Sequence, residues 1–115
     1  MRSMLYSKIH RARITGTVLD YEGSVAIGPE LLKQADILPH EEVHVLNVNN
    51  GARFTTYAIS GQKGQVELRG AAARLAMPGD TVIILTYHQM NEEEACTCKP
   101  KIVYVDEKNR IRSVK

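Results

Sequence analysis

The chain has 115 residues, of which 43% are hydrophobic and 24% charged, and its formal net charge is +2. This length allows one domain with its own core, and the composition excludes a disordered chain. The charge is too small, and the stacking aromatics too few, to favour nucleic acid, and the longest aliphatic run, Val82–Leu85, is far below the roughly twenty residues of a membrane span. With no apolar leader at residues 1–11, we predict one cytoplasmic domain over 1–115 with no nucleic-acid or membrane partner.

The sequence pattern predicts many short strands with little helix. Gly28-Pro29 opens a helix because Pro suits the first helical position, and Asn49-Asn50-Gly51 favours a tight hairpin turn. In chain order we expect strands at 5–19 and 24–27, a helix from 29 to about 36, strands at 43–48, 53–60 and 66–68, a short helix from 70, a strand at 81–87, a helical turn at 91–95, and strands at 101–105 and 111–114. Such a series is typical of a compact β-barrel or sandwich.

The predicted strand 53–60 carries polar side chains on both faces. With a period of two, Arg53 and Tyr57 share one face, and Phe54 and Thr56 take the other. If Thr56 and Tyr57 serve one site, either the backbone bends there or the site is reached from two sides.

Common enzyme motifs are missing: the chain has no phosphate-binding loop, no His-Glu-x-x-His and no Gly-x-Ser-x-Gly. The dipeptide Gly23-Ser24, in YEGSVAI, could supply an electrophile instead. Attack of the serine hydroxyl on the glycine carbonyl gives an ester, and elimination followed by hydrolysis leaves a pyruvoyl group, a known type of electron sink. Gly-Ser is also a common turn pair, so the dipeptide alone leaves both interpretations open.

Four ordered blocks narrow the choice. YEGSVAI at 21–27 follows Lys-Ile-His-Arg at 8–11 and precedes NNGARFTTY at 49–57 and Gly-Ala-Ala-Ala at 70–73. In this order the chain, from about Met4 to Ile111, resembles the pyruvoyl-dependent aspartate 1-decarboxylase family. The resemblance implies a mainly β fold, a six-stranded double-psi β-barrel with short helices, which assembles as a homotetramer with active sites between neighbouring subunits.

The resemblance also implies an activity and a cofactor. The chain would cleave itself between Gly23 and Ser24 into a β chain, 1–23, and an α chain, 24–115, that begins with a covalent pyruvoyl group derived from Ser24. No metal is expected. The enzyme would decarboxylate L-aspartate to β-alanine and carbon dioxide, for pantothenate biosynthesis. Whether cleavage needs a separate maturation factor stays open.

Site roles follow from the same resemblance. It implies catalytic roles for Ser24 and for Tyr57 as proton donor, and substrate-binding roles for Thr56, which also assists cleavage, and for Arg53, Lys8, Gly70, Ala71 and Ala72. Residue chemistry agrees, because a guanidinium suits a carboxylate and phenols are protonated at neutral pH. His10 and Tyr21 match positions close to the site. For His10, a purely structural hydrogen-bonding role is an equal alternative.

Two features lie outside this pattern. Arg69 stands where the family commonly has Asn, at the end of a short strand. We expect the activity to be retained with an altered rate. If Arg69→Asn changed neither cleavage nor turnover, the difference from the family would be immaterial. Cys96 and Cys98 are expected to be free thiols, although His88 could on paper complete a three-ligand metal site.

Two other functions remain. One is a non-catalytic barrel-type binding module that never cleaves, and the other is a pyruvoyl decarboxylase for a different amino acid. The mass of the denatured chain distinguishes the binding module, which stays intact, from the enzyme, which cleaves. Carbon dioxide release from a panel of amino acids distinguishes a decarboxylase for another amino acid.

Overall fold

The computed structural model describes all 115 residues and confirms a mainly β fold. The strands are β1 (Arg2–Arg13), β2 (Gly16–Val18), β3 (Ser24–Ile27), β4 (Glu42–Asn47), β5 (Arg53–Ser60), β6 (Val66–Arg69), β7 (Thr81–Met90), β8 (Lys101–Val105) and β9 (Ile111–Val114). The helices are α1 (Pro29–Ala35), a 3₁₀ helix (Gly70–Leu75) and α2 (Glu92–Thr97).

The strands form one open sheet rather than the closed six-stranded arrangement that the resemblance implied. Nine strands follow the order β2-β6-β3-β5-β4-β7-β1-β8-β9, with β2 and β9 at the free ends. The additional strands are short edge elements, such as β2, which has only three residues. Three strand pairs, β1 with β8, β2 with β6 and β3 with β5, are parallel, so the chain crosses over between distant parts of the sheet.

The predicted strand 5–19 is wrong in one respect, because the chain breaks into β1 and β2 at Ile14 and Thr15. Ile14 exchanges backbone hydrogen bonds with Gly79 and Asp80, and Thr15 N donates to Val66 O at 2.8 Å. At this point the chain leaves the β7 side and joins β6. Local residue pattern does not reveal this change of partner strand.

The predicted helices and turns are confirmed. α1 begins at Pro29 and buries the predicted face of Leu31, Leu32 and Ala35. α2 begins with a capping box, since Asn91 Oδ1 accepts from Glu94 N at 2.9 Å and Glu94 Oε1 accepts from Asn91 N at 3.0 Å. None of the helices has the length and apolar character that crossing a membrane requires.

The core lies on one face of the sheet. Its 20 buried residues include Ile9, Val45 and Ile84, which are paired across β1, β7 and β4 and are fully buried. Because side chains alternate, the next residues on these strands, such as Lys8 and His44, project from the opposite face. The two faces of the sheet therefore present different residues to any functional site.

Candidate active site

Ser24 is the first residue of β3 and follows the 19–23 loop that connects β2 to β3. Its side chain is almost fully enclosed, at 2% exposure, and its Oγ donates to Glu22 O at 3.3 Å. β3 runs parallel to β5 with Val25 beside Ala58, so Ser24 lies level with the middle of β5. The predicted cleavage point thus joins an exposed loop residue, Gly23, to the buried first residue of a strand.

A cavity of about 250 Å³ lies beside this strand start. It is lined by Gly23, Phe54, Thr55, Thr56, Ala71, Ala72 and Leu75. The structure therefore brings together four of the predicted site residues: Gly23, Thr56, Ala71 and Ala72. Phe54, Thr55 and Leu75 were not predicted as site residues, although Phe54 shares a strand face with Thr56, and Leu75 lies one 3₁₀ turn after Ala72.

The backbone of Gly70 packs against Gly23, the residue before the predicted cleavage point. Its φ is +69°, in the left-handed region, and a Cβ at this position would lie 2.7 Å from Gly23 Cα and N and 2.8 Å from Tyr21 O. Only glycine allows both this φ and this backbone approach. The 3₁₀ helix therefore begins in direct contact with the 19–23 loop.

Arg53 and Tyr57 lie on the opposite face of β5 from Thr56. β4 and β5 keep a continuous register from Glu42–Tyr57 to Leu46–Arg53, so the strand has no bulge that would turn Tyr57 toward the cavity. The Tyr57 ring lies 6.0 Å from the His40 ring, and Arg53 is exposed. β5 has no bulge, so Thr56 and Tyr57 project to opposite faces, and the Tyr57 face also carries Ser24 and the cavity residue Thr55.

Lys8 is farther still from the cavity within one chain. It pairs with Leu85, Leu85 with His44, and His44 with Thr55, which places β1 three strands from β5. Three strand spacings amount to about 14 Å along the sheet. Lys8 and the cavity are therefore not parts of one site in a single chain.

His10 lies at a second cavity, of about 370 Å³, which it shares with Arg11, Arg13, Tyr104 and other residues of the β1–β8 edge. Its Nδ1 is buried and has no hydrogen-bond partner, and its ring stands edge-on to Tyr104 at 5.5 Å. Burial, and then the nearby charges of Lys8 and Arg11, lower the pKa of His10. A structural hydrogen bond from Nδ1 is therefore absent, and His10 does not line the first cavity.

Arg69 and Tyr21 interact next to Ser24. The Arg69 guanidinium carbon lies 4.6 Å from the centre of the Tyr21 ring, and Arg69 Nε donates to Glu67 Oε1 at 2.8 Å. Both side chains of the ion pair are largely buried, with 18% and 19% exposure. Sequence analysis missed this pair, although residues 67 and 69 share a strand face by the period of two.

The two cysteines are free thiols, as predicted. Cys96 is exposed, and Cys98 Sγ donates to Leu5 O at 3.8 Å. No group of three or more His, Cys, Asp or Glu side chains is arranged to hold a metal ion, so His88 does not complete a metal site with them.

Comparison with known proteins adds independent information. A family model described as "Aspartate decarboxylase" matches residues 1–112. Relatives named "Aspartate 1-decarboxylase" include those of Dehalococcoides mccartyi, 55% identical over 97% of this chain and 92% of the relative, and Thermoanaerobacter pseudethanolicus, 53% identical over 95% of both chains. A relative from Legionella pneumophila with the same name is 52% identical over 99% of this chain and 87% of its own length.

Proposed function

Because the chain belongs to the aspartate decarboxylase family, and is therefore a carboxy-lyase, we propose that it converts L-aspartate to β-alanine with a pyruvoyl group made from Ser24. The observation that carries this proposal is the placement of the Gly23–Ser24 bond. Ser24 is buried, Gly23 is exposed and borders the cavity that Thr56 lines, and the backbone of Gly70 lies against Gly23.

Cleavage would begin with the Ser24 hydroxyl. In the uncleaved chain it donates to Glu22 O, so it must leave this acceptor before Oγ attacks the Gly23 carbonyl carbon. Attack replaces the Gly23–Ser24 amide by an ester and frees the Ser24 nitrogen. Elimination then breaks the bond between Cβ and Oγ, releases the Gly23 carboxylate and leaves dehydroalanine. Water adds, ammonia leaves, and the pyruvoyl carbonyl remains.

The cavity residues suit this chemistry. Glycine at position 23 places no side chain beside the carbonyl, and the space that a Cβ would occupy is itself open, with only Arg69 O within 4 Å, at 3.9 Å. Thr56 can donate its hydroxyl hydrogen to the oxygen anion that forms at Gly23. The pyruvoyl group, once made, supplies a carbonyl that condenses with the substrate amine and takes up the electrons released with carbon dioxide.

Substrate recognition needs residues that one chain keeps apart. Arg53 can hold a carboxylate with its planar guanidinium, Lys8 adds a second positive charge, and Tyr57 can return a proton. Arg53 and Tyr57 lie on the outer face of β5, which is also the face of Ser24 and of the cavity residue Thr55, whereas Lys8 lies three strands away. Because Lys8 is beyond reach within one chain, we infer a homotetramer in which Lys8 of one subunit completes the site of its neighbour. The same proposal includes a cytoplasmic location, a role in pantothenate biosynthesis and a double-psi arrangement of the core strands.

The test is the mass of the purified, denatured chain after prolonged incubation. We expect two fragments, residues 1–23 and 24–115, the larger without a free amino terminus, and carbon dioxide release from L-aspartate. Ser24→Ala removes the attacking hydroxyl, so it should stay at full length and release no carbon dioxide. Ser113→Ala, which alters an exposed serine on β9, is the matched control and should cleave normally.

A wild-type chain that stays at full length, both alone and with a cell extract that can supply a maturation factor, would contradict the enzyme reaction as proposed and would favour a binding module. If Ser24→Ala also released carbon dioxide at the wild-type rate, the pyruvoyl assignment would be wrong. If the chain cleaves but releases carbon dioxide from another amino acid and not from aspartate, the pyruvoyl assignment would stand and the proposed substrate would be wrong.

A further inference from the structure

Arg69 is the residue on which the 19–23 loop closes. Val18, the last residue of β2, pairs with Arg69 on one side of β6, and Ser24, the first residue of β3, pairs with the same Arg69 on the other side. The loop that contains the Gly23–Ser24 bond therefore starts and ends beside a single residue of β6, the strand between β2 and β3.

The Arg69 side chain also holds the middle of this loop. Residues opposite each other in an antiparallel pair project to the same face, so the Arg69 side chain leaves β6 beside Ser24. Its guanidinium lies 4.6 Å from the Tyr21 ring centre, a distance at which a cation and an aromatic ring attract. The 2.8 Å ion pair with Glu67 fixes the guanidinium in this position.

This arrangement differs from a direct catalytic role. Nε of Arg69 is engaged with Glu67, and no hydrogen bond joins the guanidinium to Gly23 or Ser24. Tyr21, by contrast, is 58% exposed and would move freely without a partner. The Tyr21 carbonyl oxygen lies against Gly70, so a shift of Tyr21 would change the contact between the loop backbone and the start of the 3₁₀ helix.

We propose that Arg69, held by Glu67, is a positioning residue for self-cleavage: it fixes Tyr21 and so keeps the Gly23–Ser24 bond in a geometry that Ser24 can attack. This inference rests on the proposed cleavage. It assigns to Arg69 a role through the loop, not a contact with the reacting atoms. A small displacement of reacting groups is enough to slow such a reaction about a hundredfold.

The first experiment measures the rate of cleavage of freshly made full-length chains by mass. Arg69→Met keeps much of the side-chain length and removes the charge, and we expect cleavage at least about tenfold slower. Arg69→Lys keeps a cation over Tyr21 and should recover most of the rate. Glu67→Gln releases the guanidinium and should slow cleavage less than Arg69→Met does.

Loss of stability alone must not explain the result. Val103→Ala removes methyl groups from a fully buried residue on β8, far along the sheet from the loop, and lowers stability by a different route. If Val103→Ala lowers the unfolding midpoint as much as Arg69→Met but cleaves at the wild-type rate, the slower cleavage of Arg69→Met comes from the displaced loop and not from lower stability. Equal slowing in both variants would overturn the inference.

A second measurement does not depend on cleavage. In the Ser24→Ala background, which keeps the chain intact, amide hydrogen exchange of residues 19–23 should be faster with Arg69→Met than with Arg69. Unchanged exchange, or wild-type cleavage by Arg69→Met, would show that Arg69 does not position the loop. A wild-type chain that does not cleave at all would instead contradict the proposed function, and the exchange result would still decide whether Arg69 holds the loop.

Discussion

At the scale of single residues, Gly70 has the least room for change near the cavity. Its left-handed φ is shared with Gly51, at +76°, but the two positions differ in their surroundings. A Cβ at Gly51 would meet nothing within 4 Å, whereas at Gly70 it would overlap the Gly23 backbone. Comparing substitutions at Gly51 and Gly70 therefore separates the free-energy cost of an unfavourable φ from the cost of an overlap with the Gly23 backbone.

We predict that Gly51→Ala lowers the free energy of unfolding by about 1 kcal/mol, the cost of the left-handed conformation alone. Gly70→Ala adds the overlap with Gly23, and we expect about 3 kcal/mol or more, together with a loss of cleavage. Urea unfolding in the Ser24→Ala background gives the free energies, and intact mass in the Ser24 background gives the cleavage. Equal effects of the two substitutions would show that the contact with Gly23 is unimportant.

Residue pattern and family resemblance identified Gly23, Thr56, Ala71 and Ala72 as one group, and these four residues do line one cavity. They could be predicted because their blocks are short and local. The partner of Arg69 was not predicted, since a resemblance gives no information where the residue type departs from the family.

At the scale of elements, Asp80 joins the turn before β7 to the end of β4. Its Oδ2 accepts from Asn47 Nδ2 at 2.9 Å and from Met77 N at 2.9 Å. The hydrogen bond from Asn47, and then that from Met77, lower the pKa of Asp80. The ionised carboxylate is therefore the form that holds the two elements together.

Stability should consequently depend on pH through Asp80. Because its folded pKa lies below the unfolded value of about 3.9, the stabilisation is complete above about pH 5 and is lost as pH falls through the folded pKa. We predict that the urea midpoint of the uncleavable Ser24→Ala chain falls between pH 5 and pH 3, and that adding Asp80→Asn makes the fall smaller. Asp20→Asn, at an exposed loop position, should leave the fall unchanged. The same slope in all three chains would contradict this account.

The elements differ in how far sequence alone predicts them. α1 and the β4–β5 hairpin follow from Pro29 and from Asn49-Asn50-Gly51, which act locally. The break between β1 and β2 depends on hydrogen bonds to Asp80 and Val66, more than fifty residues away in each case. Such a change of partner strand leaves no local signal.

At the scale of the whole molecule, the candidate residues occupy two faces of one sheet. The cavity contains Thr56, while Lys8 lies about 14 Å along the sheet and on the outer face. The sequence order of the blocks could not reveal this separation, because order along the chain says nothing about which face a strand presents. A second copy of the chain can bring the two groups together.

Mixed assembly tests this arrangement. Ser24→Ala and Lys8→Met should each be inactive as pure proteins, since one lacks the cofactor and the other lacks a substrate contact. If each site takes Ser24 from one subunit and Lys8 from its neighbour, co-expression in equal amounts should restore about a quarter of the wild-type activity. A chain that carries both substitutions, co-expressed with Ser24→Ala, is the control and should restore none. No recovery in the first mixture would place Lys8 and Ser24 in the same subunit's site.

The position of β1 has a consequence for the protein after cleavage. β1 lies inside the sheet, antiparallel to β7 on one side and parallel to β8 on the other, and it belongs entirely to residues 1–23. Without it, β8 and β9 would lose their link to the rest of the sheet. If the chain cleaves as proposed, the short fragment would be no discarded propeptide: β1 pairs with β7 and β8 and buries Ile9 and Ala12 in the core, so residues 1–23 would remain as one chain of a two-chain protomer.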